Sequence, residues 1–392
     1  MHARQGNPWL RGLLCALAAL LIAAGCGGVD SGGTGAVVSV GPIDGFGSII
    51  VNGVRFDDST ATIEDDDGAM LTPDRLLLGV ITRVQASAPV GPAGSQTATA
   101  QSIRISSDLL GPVTSIDAAS ATMVVLGQTV VVTPATAFDA TLTGGLASVT
   151  VGSTVEVYGR FDAANSRYTA TRIEVSANPA YYRLRGPVAS VDSANLRLTI
   201  GGESIDYSGV APSDLANVVV GDIVRAKLQT GRQSGNWLAV ALPSGVLPLP
   251  DGAAEIEGRI SAFTSSQQFS VDGTPVDATM ATFPDGTSGV ALGERVSVEG
   301  TSNAGVLHAS KVSVEGDESA GNSHFELHGA IDTLDTVAMT FMLRGLTVDY
   351  SGSVQYAGGT AADLAVGRRV EVTGTLSGTG TGIKAQEIDF DN

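Results

Sequence analysis

Gly45-Phe-Gly-Ser-Ile-Ile-Val-Asn-Gly-Val-Arg-Phe-Asp57 contains a short pattern that recurs along the whole chain. Its centre is apolar-x-apolar-x-Gly, here Ile49, Val51 and Gly53, with a further apolar residue, Val54, behind it. Alternation with period two gives a strand one apolar face. A glycine between two such runs reads as a hairpin. The pattern returns as Met123-x-Val125-x-Gly127 with Val130, and as Leu198-x-Ile200-x-Gly202 with Ile205. It returns again as Phe269-x-Val271-x-Gly273 with Val276, and as Phe341-x-Leu343-x-Gly345 with Val348.

Working outward, three more signatures keep the same order around each hairpin. Gly-x-Ile or Gly-x-Val opens a unit at Gly41, Gly111, Gly186, Gly258 and Gly329, at intervals of 70, 75, 72 and 71 residues. A glycine then leads a longer alternating strand: Gly152 before Val155 and Val157, Gly293 before Val296 and Val298, Gly367 before Val370 and Val372. Gly79 and Gly221 begin looser copies, and Leu228 replaces the closing glycine of the third long strand. Each unit ends in Ala-x-x-apolar: Ala100 with Ile103, Ala170 with Ile173, Ala239 with Leu242, Ala309 with Val312, Ala385 with Ile388. Four signatures in one order, five times, define a repeat protein.

The order within a unit is strand, hairpin pair, short polar turn, long strand, last strand. Asp214-Leu215 and Asp363-Leu364 are placed to make one helical turn before the long strand. Five strands in about 65 residues fit a small closed barrel of the OB kind. A sandwich split across repeats is the alternative. The fold class expected is therefore all-β, a tandem array of five small five-stranded OB-like barrels. The units run over 37–108, 109–178, 183–246, 254–316 and 325–392. Units this small bury a modest fraction of their surface, so neighbouring repeats are expected to supply the rest.

The Gly45–Asp57 segment and the repeats together resemble the bacterial DUF5666-domain family. Its members are exported proteins, often lipoproteins, built of units of this kind. The resemblance covers about residues 37–392 and is most specific in the first unit. It implies the architecture and brings no catalytic residues, because the family's function is unknown.

Residues 1–25 read as a signal peptide. His2, Arg4 and Arg11 make a positive start, and Gly12–Ile22 is an apolar run too short to span a bilayer. The run ends in Ala23-Ala24-Gly25-Cys26, which resembles a bacterial lipobox. That resemblance implies cleavage before Cys26 and a diacylglycerol on its thiol. The other reading is an ordinary secretory signal with Cys26 incidental. Gly27 stands where inner-membrane retention calls for Asp, which points to the outer membrane. Residues 26–36 are rich in Gly, Ser and Thr and read as a tether. Of the two cysteines only Cys26 survives cleavage, so each barrel is held together by packing without a disulfide.

Composition limits function. Forty acidic residues face 22 basic ones, for a net charge of −18, and removal of Arg4 and Arg11 makes the balance more acidic. That weighs against nucleic acid as a partner. Charged residues are 16 % of the chain, below the usual share of roughly 25 %. There is no Gly-x-Ser-x-Gly elbow, P-loop or dinucleotide fingerprint in a strand–turn–helix context.

Three candidate sites remain. Asp65, Asp66 and Asp67 lie in the densest acidic run, Glu64–Gly68, whose carboxylates suit calcium. The other reading of that run is a solvated loop. His324, Glu326 and His328 share one face if their stretch is a strand, and two imidazoles with a carboxylate suit zinc. The other reading is an exposed edge strand or linker. Tyr181 and Tyr182 could stack on a glycan, or pack the interface between repeats. The sequence thus predicts an envelope lipoprotein, anchored to the membrane through Cys26. It would act as a non-enzymatic scaffold or binding module with no obligatory cofactor and an envelope protein or glycan as partner. A calcium- or glycan-binding module is the alternative. A metal-dependent enzyme at His324, Glu326 and His328 is the second.

Overall fold

The computed structural model describes residues 37–92, 95–211, 218–315 and 324–390. Cys26 and the Asp214-Leu215 turn lie outside them. Gly35–Asn392 cluster as one compact unit, and among the described residues the regular elements are strands and short 3-10 turns.

Each repeat closes its own ring. In barrel 2 the strands are Leu109–Asp117, Thr122–Val125, Gln128–Val131, Thr154–Asp162 and Arg167–Val175. The first pairs with the second, the second with the third, the third in parallel with the fifth, the fifth with the fourth, and the fourth with the first. Barrel 3 (Tyr182–Ala241), barrel 4 (Gly252–Val314) and barrel 5 (Phe325–Phe390) repeat this order. A five-membered ring in the order 1-2-3-5-4-1 is an OB-like barrel, and the split-sandwich alternative is excluded.

Two local devices bend such short strands into rings. The hairpins turn on two residues that both have positive φ, for example Asn52 (52°) and Gly53 (73°), the mirror-image turn whose twist matches that of the strands. The Ala-x-x-apolar ending has a spacing of three, whereas one face of a strand repeats every two. A bulge reconciles them. In all five barrels one extra residue is inserted after that alanine, so the alanine and the apolar residue three positions later are both buried. The alanine faces Gly159, Gly300 or Gly374 across the bulge, where a Cβ would collide with backbone carbonyl oxygen. Barrel 3 has Leu228 there, and its register is shifted on both sides of that residue.

A fifth recurring signature closes the third strand in barrels 1, 3, 4 and 5, and follows the short strand Ala137–Phe138 in barrel 2. Asp57, Asp139, Asp206, Asp277 and Asp349 each accept the backbone N–H of the Ser or Thr two residues on, at 2.8–3.1 Å. This Asx turn ends the strand. In barrel 5 the chain then makes the expected turn at Ala361–Asp363, closed by a Thr360/Asp363 capping box.

The barrels are not stacked in chain order. The first strands of barrels 2 and 3 pair antiparallel, Leu110 opposite Arg183. Barrel 1 joins barrels 4 and 5 instead. Its first strand is broken into Val37–Pro42 and Gly45–Phe46. The first piece runs parallel to barrel 4, Val38 opposite Ala254, and the second parallel to barrel 5, Gly45 opposite Glu326. Packing by sequence neighbours thus holds for barrels 2 and 3, whereas barrel 1 draws its strand partners from the far end of the chain. Every barrel has a first-strand edge to cover, and one broken strand lets an odd number of barrels cover them all. The cores follow the same grouping: barrels 1 and 5 share one apolar cluster, barrels 2 and 3 another, and Val38 of barrel 1 enters that of barrel 4.

Candidate functional site

The acidic run of barrel 1 meets barrel 3. Asp65 caps its own turn, accepting the N–H groups of Asp67 and Ala69 at 2.9 Å. Asp66 accepts from Ser106 Oγ at 2.5 Å and lies 3.5 Å from Arg225. Asp67 accepts from Tyr181 Oη at 2.8 Å and pairs with Arg225 and Lys227, each at 3.2 Å. Burial opposes the charge on Asp67, yet the Tyr181 hydroxyl and the Lys227 ammonium hold its carboxyl below the usual range. A guanidinium and an ammonium thus occupy the place expected for calcium.

The tyrosines belong to the same contact. The Lys227 ammonium sits 3.8 Å from the centre of the Tyr181 ring, a cation–π geometry. Tyr182 meets Trp237 edge-on at 5.7 Å. Tyr181 thus ties barrel 3 to barrel 1, and neither tyrosine presents a free pair of faces to a sugar.

Glu326 and His328 alternate along barrel 5's first strand and His324 immediately precedes it, but the three do not form a ligand set. Glu326 is ion-paired with Arg55 of barrel 1, which also lies 3.2 Å from Glu371. His324 is exposed, and His328 packs over Gly47. Among the described residues no group of three or more His, Cys, Asp or Glu side chains is placed to hold a metal ion.

The charged residues converge instead on the junctions between barrels. Arg160 of barrel 2, only 2 % exposed, reaches Glu257 of barrel 4 at 2.6 Å. Burial works against the charge on Glu257, but Arg160 and Arg295 keep its carboxyl below the ordinary value. Arg185 of barrel 3 pairs with Asp108 at 2.9 Å and donates to the carbonyls of Gly245 and Asp272. Arg75 of barrel 1 approaches Glu174 of barrel 2 at 3.1 Å, and Arg172 donates to the Leu78 carbonyl at 3.1 Å. Where barrels 1 to 4 meet, a small cavity of about 110 Å³ remains. Burial raises the Asp272 carboxyl on its wall to about 6, and burial with the nearby Arg104 lowers Arg83 to about 10. In barrel 4, burial and the neighbouring Glu299 raise Glu255 to about 7.

Sequence reasoning overlooked these arginines, although a signal was present. The basic residues are 19 Arg against 3 Lys. Arginine's planar, always-charged fork is the residue suited to buried ion pairs between surfaces.

A different recess opens between barrels 1, 2 and 5. It measures about 370 Å³. Phe46, Ile49 and Leu77 of barrel 1, Phe138 of barrel 2 and Leu346 of barrel 5 contribute apolar wall. Arg344 lines the barrel 5 side, and Asp58 and Asp74 line the barrel 1 side. It combines apolar walls with a few polar groups, as small-molecule sites do.

Comparison with known proteins adds a family and no activity. No curated protein matches the chain. A solved structure, "drosophila Unr CSD456", aligns at 12 % identity over 55 % of this chain and 99 % of its own, with a TM-score of 0.14. The model of DUF5666, a domain of unknown function, matches residues 111–174, 257–313 and 328–389. Each of these segments covers most of one closed ring, in barrels 2, 4 and 5, and the three together are consistent with a DUF5666 repeat protein.

Proposed function

We propose that this protein is a lipid-anchored component of the bacterial cell envelope that works by binding, without catalysing a reaction. In this reading Cys26 carries the lipid, residues 26–36 tether the barrels to the outer membrane, and the five fused barrels form a rigid platform. The partner is an envelope molecule, a peptide or a glycan, and not a nucleic acid.

One observation carries the reading. The charged side chains that could have formed a reactive cluster are engaged with one another at the junctions, as Arg160 is with Glu257 and Arg225 with Asp66 and Asp67. The recess between barrels 1, 2 and 5 keeps apolar walls and, in Arg344, Asp58 and Asp74, charges with no ion-pair partner among the described residues, while its other arginine, Arg172, is held by Glu174. Such a surface suits recognition better than chemistry.

Two measurements test this reading. Labelled palmitate should enter the full chain expressed with its signal and should be lost in Cys26→Ser. Absence of label in the parent would remove the anchor. A thermal melt with EDTA, then calcium, then zinc should leave the midpoint unchanged. An ion at 100 times its dissociation constant would add about 2.7 kcal/mol to the folded state, which a melt detects readily. A clear upward shift would favour a cation-dependent module instead.

A further inference from the structure

The hairpin turns of the five barrels occupy equivalent positions, and in three of them the first turn residue is partly or wholly covered. Asn52 donates to Ser39 Oγ at 3.0 Å and to the Val40 carbonyl at 3.1 Å. Leu126 is buried in the core, Gly201 lies against Gln128, and Asp272 lines the four-barrel junction. Arg344, the one cation among these five turn residues, is exposed, on the turn of barrel 5, at the recess shared with barrels 1 and 2. Its Nε donates to the His328 carbonyl at 2.7 Å. That bond orients the guanidinium and leaves its terminal nitrogens free of any carboxylate among the described residues. On the barrel 1 side, the carboxylates of Asp58 and Asp74 likewise have no cationic partner among the described residues.

We infer that this recess binds a short apolar peptide by its two free ends. The ligand's carboxylate would lie against Arg344, its ammonium against Asp58 and Asp74, and its side chains against Phe46, Leu77 and Leu346. The inference rests on the binding reading above and names its ligand class. Size supports it: about 370 Å³ equals some twelve water volumes, enough for two apolar residues. Charge supports it more strongly. A fatty acid would satisfy Arg344 but set its charge in a recess with two carboxylates. A cationic amphiphile would meet the arginine. A zwitterion with an apolar body satisfies both sides at once. Charge-assisted hydrogen bonds are stronger than those between neutral groups.

The test uses the full chain and the dipeptide leucyl-phenylalanine, with its N-acetyl and C-amide forms and dodecanoate as comparison ligands. Calorimetry should show the free dipeptide binding. Each cap should weaken it by about tenfold or more, the loss expected for one charged hydrogen bond. Arg344→Ala should abolish the discrimination against the amide, and Asp58→Asn with Asp74→Asn that against the acetyl form. These are surface positions, and an unchanged melt would confirm that the variants fold. Equal binding of free and capped dipeptides would overturn the inference. Binding of dodecanoate alone, weakened by Leu77→Glu, would overturn the peptide assignment while leaving a binding recess. No binding of any of these ligands would overturn the inference and remove the recess as support for the binding reading.

Discussion

The inside of a barrel and the junction between barrels are built from opposite chemistries. Inside, Val157, Ile103, Leu343 and their neighbours are wholly buried apolar groups on one face of each strand. Such packing is non-directional and tolerates substitutions of similar volume. At the junctions, Arg160, Arg183 and Arg185 meet Glu257, Glu156 and Asp108 across barrels. Pairs like these are directional and costly to break, though a well-packed apolar replacement is often just as stable. The contrast suggests that the interiors supply the stability and the junctions select which barrel lies beside which.

The largest effects should come from damage to either chemistry, and they should differ in how they are repaired. Phe341→Ala in barrel 5 removes a ring that is 2 % exposed, and should cost about 3–5 kcal/mol in urea unfolding. Arg160→Ala should cost a comparable 3–5 kcal/mol or so, because it deprives the buried Glu257 of one of its two arginines. The double variant Arg160→Met with Glu257→Leu should recover most of that loss. If the double variant stays as unstable as the single, the junction pair contributes net stability and the division of roles fails.

A smaller effect separates two barrels. Gly374→Ala drives a Cβ into the Lys384 carbonyl, and should cost about 1–3 kcal/mol through overpacking. Barrel 1 already has Ala86 at the equivalent bulge, so Ala86→Gly should cost less than about 1 kcal/mol. Equal costs would mean that the bulge geometry does not distinguish the barrels.

Acidity should move stability in opposite directions at the two kinds of place. Glu255, raised to about 7, and Asp272, raised to about 6, bind protons more tightly folded than unfolded. Their folded state is therefore favoured below those values, and stability should fall as pH rises from about 4.5 through 7. Glu255→Gln should flatten that slope in melts taken across the range. The Asx-turn carboxylates of Asp57, Asp206, Asp277 and Asp349 are held low by hydrogen bonds from the following Ser or Thr. What they contribute is present above their unfolded value and should be lost as pH falls below about 4. At the bottom of the scale, Val366→Ser on an exposed turn, 65 % open to solvent, should change stability by no more than about 0.5 kcal/mol.

The interiors were legible because their information is local. Ile49, Val51 and Val54 announce a hairpin within six residues, and the three-residue step from Ala385 to Ile388 encodes a bulge before any strand partner is known. The Asp-x-Ser/Thr turn was equally local and went unread, although Asp57, Asp139, Asp206, Asp277 and Asp349 repeat it in all five units. The candidate sites fared differently. Asp65–Asp67 and Tyr181 were sensible choices by residue type, but Arg225 and Lys227, the partners of Asp66 and Asp67, lie about 160 residues from them, and Tyr181 lies 114 from Asp67. No spacing rule links them. The same is true of Glu326 and Arg55.

By itself the sequence determined five repeats, the strand order within each, the bulges and turns that curve them, and the apolar faces that fill them. Those features follow from steric and hydrophobic preferences acting over a few residues. Only the tertiary structure decided that barrel 1 would break its first strand to join barrels 4 and 5. It alone also showed that the acidic run would be capped by arginine and lysine, and that Arg344 would be left beside an apolar recess. Those outcomes depend on which of several similar edges and charges meet in space, and that is set by the fit of whole barrels to one another.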